Sequence, residues 1–315
     1  MGREIARPSQ SLRGSAKKRM MKTGDAGRMP VALTVAGLDP SGGAGVIADV
    51  KTFTAFGCFA TAVVTSLTFQ NTTGVFGAAH QAAEVVRAQV LPVVEDFRVA
   101  CAKTGMLPTR EIIREVARLF REAGLPAPVV DPVVRSTSGH DLIDAAALDS
   151  LVTDLMPLAR LVTPNIPEAE RVTGLTITDE GGMRRAALRM REMGARAVLV
   201  KGGHLHEARA GARMRLTESD GGGDGRPARE ALDLLDDEGR VTVFRGEMIA
   251  TTSTHGTGCT LSAAIAACLG LGLTLEASVS AAKRFVSDAI GHAPGLGRGH
   301  GPVNHSVHAS FGEDE

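Results

Sequence analysis

The 315-residue chain contains no tryptophan and no tyrosine, so ten phenylalanines are its whole aromatic complement. It also lacks net charge, with 35 Lys and Arg against 35 Asp and Glu. The first absence removes the usual stacking platforms for single strands, and the second removes the basic footprint of a nucleic-acid surface. Nucleic acid is therefore not an expected partner. Cysteine is scarce: Cys58, Cys101, Cys259 and Cys268 stand far apart, without a CxxC pair or zinc spacing. A disulfide scaffold is excluded on that count, and reduced thiols in a cytoplasmic protein are expected. No apolar run reaches the roughly 18 residues of a membrane span. The longest, Leu261 to Leu273, is rich in Ala and Gly and suits a buried helix, so no membrane partner is expected.

Residues 1–30 are basic but have no apolar h-region, which reads as a disordered extension rather than a secretory signal. The folded domain is expected over 31–308. Its apolar fraction, 43 %, is ample for a core. Val31 to Ala36 is a short apolar run with β-branched residues, a buried strand by pattern. After a glycine-rich loop, Val46, Ile47, Val50 and Phe53 form one helical stripe. Further strands are expected at Thr61–Leu67, 97–103, Pro128–Asp131, Leu161–Thr163 and Ala197–Lys201. Helices are expected between them near 82–94, 109–123, 145–157 and 180–193. Such alternation implies βαβ units and a mainly parallel sheet covered on both faces, with right-handed crossovers. Glu207 to Arg229 breaks the pattern and reads as a flexible insertion. Two antiparallel strands, Ala231–Leu235 and Arg240–Phe244, and two helices, 257–271 and 275–291, complete the chain.

Ligands in open α/β sheets bind at the carboxyl ends of the strands. Four polar clusters fall there: Asp39 to Gly45, Asp131-Pro132, Thr163 to Glu168, and Lys201 to His204. The sharpest signal is Thr254-His255-Gly256-Thr257-Gly258-Cys259-Thr260, directly before a helical run. Glycines let successive N–H groups face one point, and the helix N-terminus adds positive potential, which together suit a migrating phosphoryl group. The motif is neither a Walker A sequence nor a dinucleotide fingerprint. Taken alone it also fits an ordinary glycine-rich turn capped by Thr257. His204 and His255 read as loop residues.

These motifs together resemble the hydroxymethylpyrimidine/phosphomethylpyrimidine kinases of thiamin synthesis, in the ribokinase-like superfamily. The resemblance is carried by Ala36 to Gly45, Ala48 to Phe53, Gln70-Asn71-Thr72, Lys103 to Leu107, Asp131-Pro132-Val133, Thr163 to Ala169, Val200 to His204, His255 to Ala264 and Gly299 to Val303. It implies a three-layer α/β/α sandwich, ATP as co-substrate, Mg²⁺, a small pyrimidine substrate and a homodimer. By similarity Gly37, Ala44, Asp49, Gln70 and Met106 would line the pyrimidine pocket. Gly256, Thr257, Gly258 and Cys259 would form an anion hole, with Cys259 as base toward the substrate hydroxyl. A helix N-terminus lowers a thiol pKa, so a thiolate is expected to be accessible at neutral pH. Lys201, Asn165 and Thr257 would hold ATP phosphates, and Asp131 and Glu168 would serve a hydrated metal. Taken without the family, Asp49 also reads as a solvated helix carboxylate and Cys259 as a small buried residue. Ser253 and Thr137 depart from the Asn and Lys of many relatives. A pyridoxal or pyridoxine kinase on the same fold is the alternative enzyme, and a catalytically silent thiamin-precursor-binding protein the alternative of another class.

Overall fold

The computed structural model describes residues 29–134, 142–203 and 230–311. The expected extension before 29, the 207–229 segment, Thr137 and His204 lie outside the described residues. The elements in chain order are β1 (Val31–Leu38), α1 (Gly45–Ala55), β2 (Phe59–Asn71), β3 (Gly74–His80), α2 (Ala83–Asp96), β4 (Val99–Thr104), α3 (Arg110–Glu122), β5 (Val129–Val130), α4 (Ala145–Ser150), β6 (Leu161–Val162), α5 (Ile166–Thr173), α6 (Glu180–Glu192), β7 (Ala197–Lys201), β8 (Glu230–Asp237), β9 (Arg240–Glu247), α7 (Thr257–Gly270) and α8 (Leu275–Gly291). The strands form one nine-stranded sheet in the order β3-β2-β1-β4-β5-β6-β7-β8-β9. Its middle, β2 through β7, is parallel, and β3, β8 and β9 run antiparallel to their neighbours.

Alternation along each central strand divides the core in two, because successive side chains leave opposite faces of a pleated sheet. Leu33, Val35, Val130, Val162, Val198 and Val200 pack with α2 to α6 on one face. Ala32, Val129, Leu161, Ala197 and Leu199 pack with α1, α7 and α8 on the other. The result is the expected three-layer ribokinase-like α/β/α sandwich. Five helices are started by a side chain that accepts from a first-turn N–H: Thr109, Asp144, Asn165, Asp179 and Thr274. Among the described residues no helix is long and apolar enough to cross a membrane.

The structure adds two elements to the expected list. The helix α5 follows Pro164 and contains Pro167, which read as breakers in sequence; Pro167 sits in the first turn, where a missing N–H costs nothing. The strand β3, Gly74–His80, is poor in β-branched residues and is specified by antiparallel pairing with β2. The helix expected at 145–157 is α-helical only to Ser150, then widens through Leu151–Leu155 and tightens at Met156–Leu158, where Pro157 supplies no N–H to the ladder.

The element that matters most for the site is α7. It lies against the sheet and between α1 and α8, and Thr260 to Cys268 are all buried. Small residues permit this close seat: a Cβ added at Gly270 would stand 2.8 Å from Cys101 Sγ. Ala264 is wholly buried there. Replacing it with Leu is expected to destabilise the fold by about 1–3 kcal/mol through overpacking. Urea unfolding measures this, and an unchanged midpoint would contradict the tight seat.

Candidate active site

The clusters singled out in sequence meet along one rim, at the carboxyl ends of β1, β4, β5, β6 and β7. Asp39, 1 % exposed, organises the loop after β1. Its carboxylate accepts from Ser41 N (2.8 Å), Ser41 Oγ (2.7 Å) and Ala44 N (2.9 Å), and pairs with His255 Nε2 at 2.7 Å. Burial alone would push this carboxyl up, but the bonds from His255 and Ser41 outweigh it and hold it below the usual carboxylate value. His255 is thus more than a loop residue, because it joins the loop after β1 to the turn before α7. The contact is so close that only glycine fits. Gly256 has φ 80°, and a Cβ there would lie 1.8 Å from Gly43 O; within the loop after β1 itself, Gly45 has φ 57°, and its Cβ would lie 2.2 Å from Gly37 O.

At the start of α7 the N-cap is Gly256, and no side chain caps the helix. Thr257 Oγ1 instead donates to Thr254 O at 3.2 Å. The reading of an ordinary turn capped by Thr257 is thereby removed; Thr257 N donates to Thr254 O at 3.4 Å, and the N–H groups of Gly258 and Cys259 are left to a ligand or water. Lys201 Nζ stands over this end, 3.1 Å from Asp131 Oδ1. A Cβ at Gly258 would be 3.3 Å from Lys201 Nζ and 3.8 Å from Asp131 Oδ2. Thr163 and Ser262 hydroxyls also reach Asp131, at 3.3 and 3.5 Å. Burial would lower the Lys201 ammonium, but Asp131 and Glu168 reverse that and raise it, so it stays charged.

Asn165 and Glu168 lie beside Lys201, through a bridge between Asn165 and Lys201. They form a capping box at the start of α5: Glu168 N donates to Asn165 Oδ1 (2.9 Å), and Asn165 N donates to Glu168 Oε2 (2.8 Å). Burial pushes the Glu168 carboxyl up to about 7, with Lys201 opposing and Asp131 assisting. A group titrating there sheds its proton readily when a cation arrives. Among the described residues no group of three or more His, Cys, Asp or Glu side chains is placed to hold a metal ion.

Asp49 lies wholly buried, accepting from Thr34 Oγ1 at 2.6 Å and paired with Lys103 Nζ at 2.8 Å. Burial pushes the Asp49 carboxyl up, and Lys103 and Thr34 pull it down. Lys103 is held charged by Asp49 against its own burial. Sequence reasoning missed Lys103 as a site residue. The signal was available: a lysine within Cys101-Ala102-Lys103-Thr104, and a carboxylate three residues after Val46 and four before Phe53 on the inner stripe of α1.

Cys259 is half-buried and receives a hydrogen bond from the Gly45 N–H. Burial pushes its thiol up to about 11; Lys103 opposes this, and Asp49 and Asp131 reinforce it. The expectation of a thiolate at neutral pH is therefore reversed in the free protein. Nearby, Gly37 faces Met106, whose Sδ would stand 3.0 Å from a Cβ at 37. Ala44 is half-buried on the same loop. Gln70 Nε2 donates to Thr68 Oγ1 (2.7 Å), which donates to Leu38 O (2.8 Å), and so Gln70 is tied to the end of β1.

Residues 39–304 match the family described as phosphomethylpyrimidine kinase. The hydroxymethylpyrimidine/phosphomethylpyrimidine kinase of Streptomyces coelicolor is 41 % identical over 276 residues, which are 88 % of this chain and 94 % of that protein. The thiamine biosynthesis bifunctional protein ThiED of Geobacter sulfurreducens is 44 % identical over 277 residues, and there the match spans only 52 % of the longer protein. Among solved structures, phosphomethylpyrimidine kinase of Clostridium difficile 630 is similar with a TM-score of 0.68 at 36 % identity, over 83 % of this chain and 99 % of that one. An ADP complex of Bacillus subtilis pyridoxal kinase is similar with a TM-score of 0.74 at 32 % identity, over 89 % of this chain and 98 % of that one.

The raised thiol yields a direct measurement. With a pKa of about 11, the thiolate fraction of Cys259 rises about tenfold per pH unit between pH 7 and 10. Iodoacetamide labelling of Cys259, followed by peptide mass spectrometry, is expected to accelerate by that factor. A rate already flat above pH 8 would show that the free thiol is not raised.

Proposed function

The chain belongs to the phosphomethylpyrimidine kinase family, and from that premise we propose that it phosphorylates 4-amino-5-hydroxymethyl-2-methylpyrimidine and then its monophosphate, with ATP as donor. The observation that carries this reading is the meeting of two loops. The turn that presents the Gly258 and Cys259 N–H groups lies directly against the loop bearing Gly43 and Ala44, which follows Gly37 at the end of β1. A phosphate and an alcohol bound to those loops would be neighbours.

In this reading Gly37, Ala44, Gln70 and Met106 hold the heterocycle, with the buried Asp49 behind them. Gln70 supplies a donor and an acceptor to a ring nitrogen and an amine. Asp49 acts through its buried pair with Lys103, which fixes the end of β4 and sets a positive charge near Cys259. Lys201, Asn165 and Thr257 face the ATP phosphates, and Gly256 and Gly258 leave room for the migrating phosphoryl group. Asp131 and Glu168 are the carboxylates that would face a nucleotide-bound Mg²⁺, which would screen phosphate charge; magnesium typically takes one or two carboxylates and keeps waters. The substrate oxygen bonds to the γ-phosphorus as the bond to the β-phosphate oxygen breaks and ADP leaves. Once the Cys259 thiol has released its own proton to solvent, a loss that Lys103 favours, the hydroxyl proton passes to Cys259 Sγ as thiolate. Because such transition states are loose, that proton leaves late, and positioning matters more than base strength.

Pyridoxal kinase remains the second reading, favoured by the likeness to the Bacillus subtilis enzyme. The presence of Cys259, Lys201 and the glycines weighs against a silent binding protein. A homodimer is part of the proposal, supported by the exposed Leu67, Phe69 and Phe76 along the β2–β3 edge. The free thiols of all four cysteines support a cytoplasmic setting.

Mass spectrometry of products from the pyrimidine alcohol with Mg·ATP is expected to show mono- and then diphosphate. A clear preference for pyridoxine in side-by-side turnover would overturn the substrate. Cys259→Ala is expected to lower kcat about a hundredfold, and an undiminished rate would refute the base while leaving the kinase reading in place.

A further inference from the structure

The turn between β2 and β3 follows Gln70 directly, and it is fastened to chain 226 residues later. Thr72 O accepts from His300 N at 2.8 Å. Thr72 Oγ1 accepts from Arg298 N at 3.2 Å and Gly299 N at 3.4 Å. The approach leaves no space: a Cβ at Gly297 would lie 2.3 Å from Thr72 Oγ1, and one at Gly299 would lie 2.1 Å from Thr72 O. Gly297 has φ 86°, so a side chain there would be strained as well as crowded. The turn is itself braced, since Asn71 Oδ1 accepts from Thr73 N and Thr73 Oγ1.

The same segment continues to the phosphate turn. Gly301 N donates to Thr252 O (3.2 Å), His255 N donates to Gly301 O (3.1 Å), and His255 pairs with Pro302. His255 immediately precedes Gly256. Residues 297–302, at most about 20 Å long when extended, thus touch the turn beyond Gln70 at one end and the start of α7 at the other. Among the described residues, Lys201 and Asp131 bond to each other and to Thr163 and Ser262, and no bond joins them to this segment.

We infer that Thr72 is a positioning residue for phosphoryl transfer: through residues 297–302 it sets where the substrate-reading end of β2 stands relative to the anion-binding turn. The inference rests on the kinase reading above. Transfer needs the attacking oxygen and the phosphorus about 3–3.5 Å apart, and small displacements are costly in rate. Thr72 carries no reacting group, so its effect reaches the reaction only through the strap.

The test compares Thr72→Val, which keeps the branched shape but removes the acceptor, with Thr72→Ser, which keeps the acceptor. Wild type is first assayed on the pyrimidine alcohol and on pyridoxine, and the variants are then assayed on whichever alcohol wild type prefers. Failure of the substrate reading is thereby separated from failure of this one. Thr72→Val is expected to lower kcat/KM for the alcohol about tenfold, with the KM for ATP unchanged. Thr72→Ser is expected to restore the wild-type value. Equal kinetics in all three proteins, with only a lower melting temperature for Thr72→Val, would reduce Thr72 to a structural staple and overturn the inference. So would a loss in Thr72→Val that Thr72→Ser shares in full.

Discussion

A buried carboxylate holding two distant loops in contact is the constraint on which the site depends. Asp39 and His255 are 216 residues apart in the chain, yet their 2.7 Å bond brings the loop after β1 against the turn before α7. An unpaired buried carboxylate is expensive, and Asp39 avoids that cost by filling its oxygens with Ser41, Ala44 and His255. The loops can then close only where side chains are absent, at Gly43 and Gly256. Glycine at these places answers backbone contact first; the exposed N–H groups of α7 follow from it.

The electrostatics around Cys259 come from the same compression. The thiol sits at a helix N-terminus, where a thiolate is favoured, but it is also screened from water and close to Asp49 and Asp131. Burial wins in the free protein. Lys103 and Lys201 are the counterweights, each held charged by a carboxylate partner. The site is therefore balanced, with two cations, Lys103 and Lys201, against two carboxylates, Asp49 and Asp131, around one neutral thiol, and an incoming polyphosphate shifts that balance.

Much of this was legible in the sequence. Hydrophobic runs located β7 and α8 at their observed bounds, and glycine and proline clusters marked the strand ends where the site lies. These are local signals, set by residues within a few positions of one another. The unpredicted features depend on partners far along the chain. Strand β3 exists through pairing with β2, Lys103 acquires meaning through Asp49, and His255 through Asp39. Helix α5 was hidden by Pro167, whose tolerance depends on its place in the first turn. The direction of the Cys259 shift was illegible because desolvation is a property of packing.

The crowding around Thr72 has a consequence for inheritance. Gly297 and Gly299 have no space for even a methyl group against the residue at 72, so drift at one end of the contact is constrained by the other. Gly299 meets the backbone of Thr72 and Gly297 its side chain, so a side chain gained at either glycine requires the loop that carries them to be rebuilt.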